Sequence, residues 1–584
     1  MFSFKKVFRQ VKLNILFLIP VILSITFGIF LRLYLFWNNS FVGDEVNTLE
    51  YLAINGYAHP KIFDFYNFLL LKNRGPGQYL VNYLNTSIFG FINEFQIRLP
   101  YVFISIVALI VIYFLTYEFF KSKKVALISV SLFSFNGLFI IFGRLAQYQS
   151  FLVFFIPLTV YFFTISYLKN NKKLMFLSAI LYSICLLFHY DSLSLLPYFI
   201  SLITYNIYLN TKKSNLINTT KLILIFILVV SFFSIVFYLP FFSHQYYSIK
   251  TSSYLESRLF GGGFMPKTPY FELGQILELY LPLEAWFILF FLLVLGFVFL
   301  HKKIINKVKL FKISFNHLVP LYYLANILFV IGFLLSLTLL KPRLSTLLVY
   351  ISSFVILFLL FISKKIGAKL FALIAWFLVN FCVYFYFIKD PRTHVYVVFF
   401  PAFILVAYSI NNIFEIIKNK YFKFVLYMLL NLLILLLFYF YYLVFIQINP
   451  PYLWYKKTFI FKELPYVDRN YKSNLKIFGF GDNNHWLEIK KLYDMGCLVK
   501  NYGTNEKISV SNFYMQTKQI SLNDQPETVI FVVNPTTWST QKLQYYSNNN
   551  EYILLKTYYN GDYPSVYLFG KKIAYKTNKT GCFK

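Results

Sequence analysis

Acidic residues are scarce in this sequence: 23 Asp and Glu stand against 55 Lys and Arg, a formal net charge of +32. In a soluble chain that imbalance would point to nucleic acid. Polar sequence is scarce as well, and this changes the reading. Of the 584 residues, 58% are hydrophobic and the mean hydropathy is +0.61, against roughly 45–50% apolar residues in soluble domains. Nucleic acid is excluded as a partner on this ground, and the basic residues are expected in membrane-flanking loops. A cleavable leader is also missing: the first apolar run, 13–36, is too long for an h-region and is expected to be a signal anchor. Cysteine is rare. Of the four, Cys185 and Cys382 lie in apolar runs and are expected to be packing residues. Cys497 and Cys582 lie in the polar tail, and whether they form a disulfide is left open, because spacing alone decides nothing. Phe and Tyr are abundant alongside Lys, Asn and Ile, so no aromatic cluster is read as a site.

What is present is a series of long apolar runs. They lie near 13–36, 97–120, 125–142, 149–168, 174–190, 193–209, 221–242, 283–300, 318–340, 344–362, 369–388, 394–411 and 423–446. A helix of roughly 20 residues crosses a hydrocarbon core, so the fold class expected is an all-α polytopic membrane protein of about 13 transmembrane helices. Segments 1–12, 121–124, 169–173, 210–221, 301–312, 364–369 and 418–423 hold 24 Lys and Arg and no acid. The short loops between them hold five, Arg144, Lys341, Arg343, Lys389 and Arg392. The positive-inside rule then places the N-terminus in the cytoplasm and, with an odd number of spans, the C-terminal tail outside.

Two long outer loops are expected, 37–96 and 243–282. The first contains the amphipathic stretches "VNTLEYLAI" and "GQYLVNYLNTSIFGFI", suited to interfacial helices. The second contains Gly261 to Gly263, which suit a lid or a plain loop equally. The chain thus divides into a membrane domain, 1–446, and an extracytoplasmic domain, 447–584. The latter has short alternating runs, "ETVIFVVN" and "EYILLKTYY", and a helical stretch, "HWLEIKKLYDMG". It reads as a small α/β or α+β domain without a nucleotide-binding or metal motif.

Ionisable groups near a bilayer are functional candidates by default. On the outer side they cluster at span ends: Asp44, Glu45, Arg74, Arg98, Arg144, His189, Asp191, Glu256, Arg258, Lys341, Arg343, Lys389, Asp390, Arg392 and His394. A few acids among many cations suit a base beside a bound phosphate. Each has a plainer reading. Arg98 is expected to snorkel to the headgroups, as the Lys341–Arg343 and Lys389–Arg392 pairs also can. His189 and Asp191 suit a helix cap, and Asp44 an N-cap.

These residues resemble a family. "VGDEVNTLEYL" is similar to the acidic first-loop motif of C-type membrane glycosyltransferases, which use polyprenyl-phosphate-linked sugars, in particular the protein O-mannosyltransferase-like enzymes and lipid A aminoarabinose transferases. "NRGPGQYLVNYL" resembles their Lys/His-Pro-Pro-Leu-x-Tyr-Tyr segment, with Arg-Gly-Pro-Gly where many relatives have two prolines. "FGFINEFQIRLPYV" resembles the lead-in to their second span, and "GRLAQYQSFLVFF" their Arg-containing turn. The resemblance is strong over 13–200. Later, "KDPRTHVYVVFFPAFILVAYS" and "LKPRLSTLL" compete for one family segment.

The resemblance implies an inverting transfer of a sugar from a polyprenyl-phosphate donor to an extracytoplasmic protein, lipid or glycan acceptor in the cell envelope. It makes Asp44 the base, with Glu45 orienting the acceptor, tuning Asp44 or holding a metal. No cofactor is fixed; a divalent cation, Mg or Mn, is held by Asp44 and Glu45 if one is present. Arg74 and Arg144 are expected on the donor phosphate, then Arg392 or Lys341 and Arg343. His189, Glu256, Arg258, His394 and Tyr396 are secondary candidates. The alternatives are another envelope polysaccharide polymerase or ligase, and a flippase or transporter with midplane charges and paired repeats.

Overall fold

The computed structural model describes residues 4–41, 45–46, 48–49, 75–89, 93–209, 213–242, 276–305, 318–337, 342–363, 366–388, 391–453, 455–466, 479–499, 501–517, 519–534, 537–575 and 582. Among them, ten helical stretches are long and apolar enough to cross a membrane. The protein is a mostly helical multi-pass membrane protein with a small C-terminal sheet region. Apolar side chains such as Phe103, Leu228 and Phe354 are exposed on these helices. In a bilayer such faces meet acyl chains, so their exposure carries no solvation penalty there.

The run 125–142 is not one helix. It divides into Lys123–Ser134 and Gly137–Phe142. Asn136 stops the first and caps the second, accepting from the Leu138 N–H. Gly137 then passes so close to the Tyr280 carbonyl that a Cβ there would clash. The stretch expected to lie in the interface forms the helix Gly77–Phe89. It buries Gln78, Asn82 and Asn85 against the protein and exposes Leu84 and Ile88. A helix at the bilayer surface buries polar side chains only where they find partners. Asn82 donates to Thr48 Oγ1 at 2.6 Å and accepts from the Tyr101 hydroxyl at 2.8 Å.

The membrane helices end at Ile446. Beyond them the expected strands are β2 (Thr528–Val532) and β3 (Tyr552–Asn560), and the expected helix is Trp486–Asp494. They join β1 (Tyr502–Thr504) and β4 (Tyr563–Lys571) in a mixed sheet of order β1-β2-β4-β3. β2 is buried throughout, and so reads as a continuous apolar run rather than an alternating one. Cys497 and Cys582 are joined in a disulfide. Cys185 is buried and Cys382 half-buried, as packing residues are.

The C-terminal region docks on the loop that follows the first helix through backbone-directed hydrogen bonds. Ser40 N–H donates to the Asp482 carbonyl at 3.2 Å, and the Asn484 N–H to Ser40 Oγ at 2.8 Å. The Phe41 N–H donates to the Tyr514 hydroxyl at 2.9 Å, and that hydroxyl donates to Glu94. Asp482 lies at this junction, accepting from Asn560 at 3.0 Å. Burial, and then the nearby Glu506 carboxylate, push its pKa up to about 7. Burial also raises Glu506. A carboxyl raised in the folded state binds more protons folded than unfolded between its ordinary value and the raised one. Its contribution is present at low pH and lost as pH rises through that window.

The melting temperature of the wild type, relative to Asp482→Asn, is therefore expected to fall as pH rises from about 4 to about 8 and to level off above. A parallel pair of pH profiles in one detergent would contradict this. Replacing both Cys497 and Cys582 by Ser should lower stability by on the order of 4 kcal/mol if loop-closure entropy dominates, since the disulfide spans 85 residues. Denaturant unfolding followed by Trp fluorescence measures it.

Candidate functional site

The end of the helix bundle that carries the first loop is organised around one buried ion pair. Asn93 caps the helix Glu94–Phe120, accepting from the Gln96 N–H at 2.8 Å. One turn further on, Arg98 reaches back to the first loop. Its Nε and Nη2 donate to the two oxygens of Glu45, each at 2.8 Å. Its remaining donors meet the carbonyls of Phe36 (2.9 Å), Asn39 (2.8 Å) and Ser40 (3.2 Å). Its guanidinium also lies over the Phe41 ring, 5.1 Å from the centroid. Both side chains are 0% exposed. The expected snorkelling of Arg98 is thus replaced by a fully satisfied bidentate pair. A buried guanidinium needs every donor matched, and these partners match all five.

Glu45 Oε1 also accepts the Ala146 N–H at 2.8 Å. That contact ties the first loop to the turn 143–147. Arg144, in the same turn, donates to the carbonyls of Leu31, Tyr34 (2.8 Å) and Leu35 (3.1 Å). These are the orphan acceptors at the end of the first helix, where a cation is favourable. Burial, then the like charge of Arg98, lower the Arg144 pKa. Both its terminal nitrogens are committed to backbone, so Arg144 holds the turn on the first helix; this is a different task from the phosphate contact expected of it. Arg32, not singled out from the sequence, does the same between helices, donating to Gly28, Phe133 and Ser134 carbonyls.

Two residues past Ala146 the same turn meets a second cluster. The Tyr148 ring stacks on His189, with centroids 4.1 Å apart, and its hydroxyl is 3.3 Å from His394 Nδ1. His394 Nδ1 is 3.0 Å from both oxygens of Asp191. His189 Nδ1 is 3.2 Å from Asp191 Oδ1 and accepts the Asp191 N–H at 3.2 Å. His189 is thus a cap, as expected, while the fully buried Asp191 carboxylate faces the two imidazoles. Arg392 stands two residues before His394 with left-handed backbone (φ 47°), in the short 3-10 turn that leads into Tyr396. Tyr396 is buried and close enough to Asp191 to interact with it electrostatically.

Gln147 lies between the two clusters and was not singled out from the sequence. It is 1% exposed, and neither its amide nitrogen nor its amide oxygen has a hydrogen-bond partner among the described residues. Nothing in the local sequence distinguishes it from Gln149. Gln78 also escaped notice; it donates to the Ala146 carbonyl at 2.7 Å and holds the turn from the other side. Asp44, Arg74, Lys341, Glu256 and Arg258 lie outside the described residues. Asp44 is the covalent neighbour of Glu45, and Arg74 that of Gly75. Gly75 abuts the Leu187 and Phe188 carbonyls so closely that no Cβ fits, next to His189. That close approach explains a glycine where relatives have proline. Arg343 is exposed at the start of the helix Pro342–Ser363.

Removing one partner of the pair should be costly. Glu45→Gln is expected to destabilise the protein by about 3–5 kcal/mol by leaving a buried guanidinium uncompensated. Adding Arg98→Met should recover part of the loss. Denaturant unfolding of the single and double variants measures the coupling, and an additive double variant would dismiss it.

Residues 73–238 match the family described as dolichyl-phosphate-mannose-protein mannosyltransferase. No curated protein matches the chain. Among solved structures, the chain is similar to the archaeal oligosaccharyltransferase AglB from Archaeoglobus fulgidus, in complex with an inhibitory peptide and a dolichol-phosphate. The TM-score is 0.46 at 12% identity, over 88% of this chain and 69% of that one. It is similar as well to ArnT from Cupriavidus metallidurans bound to undecaprenyl phosphate, with a TM-score of 0.46 at 8% identity, over 94% of this chain and 97% of that one. Apo ArnT gives a TM-score of 0.40 at 9% identity, over 96% and 98% of the two chains. The family likeness of this chain therefore lies in the sequence of the stretch 73–238, which is similar to the dolichyl-phosphate-mannose-protein mannosyltransferase family.

Proposed function

We propose that this protein transfers a sugar, with inversion, from a polyprenyl-phosphate donor to an acceptor outside the cytoplasm, with Asp44 as the base. One observation carries the reading. The turn 143–148 presents Ala146 to the acidic first loop and Tyr148 to the His189–Asp191–His394 cluster, so an acid-bearing loop and a histidine–aspartate cluster share one short segment. The family match over 73–238 covers this turn and supports the same reading.

In this reaction the acceptor oxygen attacks the anomeric carbon while a carboxylate takes its proton. The bond from that carbon to the phosphate oxygen breaks, and polyprenyl phosphate departs with the bonding pair. Charge grows on the phosphate during the step, so fixed cations there stabilise the transition state more than the ground state. Glu45 is held in a bidentate pair and a backbone hydrogen bond, which gives it a positioning role: it fixes the backbone next to Asp44. Arg74 and Arg392 are the proposed phosphate contacts. Gln147, with its buried amide, is the proposed partner for a sugar hydroxyl or phosphate oxygen.

The test is release of free polyprenyl phosphate, followed by mass spectrometry, from a pool of polyprenyl-phosphate sugars supplied to purified enzyme. Asp44→Asn should lower turnover about a hundredfold or more while the protein stays folded. Gln147→Ala should lower it about tenfold, the scale of one buried hydrogen bond. Full activity in Asp44→Asn would remove the proposed base, and no release from any donor would remove the transfer itself.

A further inference from the structure

We infer that His189, Asp191 and His394 form a binding site for one divalent transition-metal cation of the zinc class, with an open coordination position. Each of the three residues offers one ligand atom, an imidazole nitrogen or a carboxylate oxygen, and these atoms all lie within 4.8 Å of one another. The separations are 3.0 Å from His394 Nδ1 to either Asp191 oxygen and 3.2 Å from His189 Nδ1 to Oδ1. A tetrahedral ion with bonds of about 2.1 Å holds its ligand atoms about 3.4 Å apart. Each imidazole–carboxylate separation lies within a few tenths of an ångström of that spacing.

A second observation points the same way. His189 Nδ1 accepts the Asp191 backbone N–H, which can only donate, so this nitrogen carries a lone pair. The same nitrogen stands 3.2 Å from the Asp191 carboxylate oxygen. Asp191 is 0% exposed. A cation between the two would be shared by the imidazole and the carboxylate. It also supplies the positive charge that a buried carboxylate requires.

The donor set selects the ion. Two imidazoles and one carboxylate suit zinc and its neighbours, whereas magnesium prefers oxygen ligands and keeps its waters. Three protein ligands leave a fourth position, the arrangement of catalytic rather than structural zinc. The ring of Tyr148 packs on His189 and fixes its orientation. The site uses neither Glu45 nor Arg98. Its role in transfer, holding an oxygen of the donor phosphate at the open position, rests on the function proposed above; its affinity for metal does not.

The experiment uses full-length protein in detergent, with the affinity tag removed and metals stripped by chelator. Zn2+ is added, excess is removed by desalting, and retained metal is counted by inductively coupled plasma mass spectrometry. Wild type is expected to retain one equivalent and to melt at a higher temperature with Zn2+. His189→Ala and His394→Ala should each weaken retention at least tenfold. If either variant fails to fold, X-ray absorption of Zn2+-loaded wild type decides: imidazole scattering from two ligands supports the site, and its absence overturns it. No retained metal in wild type, or equal retention in the folded double variant, also overturns it. Metal retained without turnover of any donor would remove the transferase reading and leave the site. Turnover that survives chelation with no metal retained would remove the site and leave the transferase.

Discussion

One end of the helix bundle in this protein depends on Arg98 and Glu45 being buried together. A guanidinium at 0% exposure has no solvent to fall back on, and here it draws in the Glu45 carboxylate and three backbone carbonyls of residues 36–40. Residues 36–40 and Glu45 are thereby held on the head of the helix Glu94–Phe120. The remaining capacity of Glu45 goes to the Ala146 N–H, which fixes the turn before the helix Tyr148–Leu168. An ion pair of this kind adds little over an apolar substitute, but it fixes geometry because neither partner tolerates the loss of the other.

Everything in the candidate site hangs from that fixed turn. Arg144 ties it to the first helix, Gln78 to the interfacial helix, and Tyr148 to the histidine pair. The C-terminal region adds a further brace through Tyr514, which bonds both the Phe41 backbone and Glu94, the residue one helical turn before Arg98. The result is a rigid frame of buried polar groups at the end of a lipid-facing helix bundle. Such frames keep reacting groups in place, which is what positioning contributes to transfer chemistry.

Long apolar runs are visible in sequence because crossing a bilayer imposes length and hydrophobicity on contiguous residues. The strands of the C-terminal sheet are visible for a similar reason: "ETVIFVVN" and "EYILLKTYY" carry their pattern locally. The break inside 125–142 is less legible, because Asn136 and Gly137 punctuate it only weakly and Tyr280, which Gly137 abuts, is distant in the chain. Arg98 shows the limit most clearly. In "FQIRLPYV" it is one basic residue at a span end, and its partner lies 53 residues earlier.

The sequence by itself determined that the chain crosses a membrane many times, that a small mixed domain follows, and that charge gathers at the outer ends of the helices. These are properties of contiguous residues and of their composition. Only the tertiary structure decided which charges are committed to holding the frame and which face one another across it. Asp191 meets His394 over 203 residues, and Cys497 meets Cys582 over 85. Pairings at that range are set by how helices pack and where turns fall, so no local pattern records them.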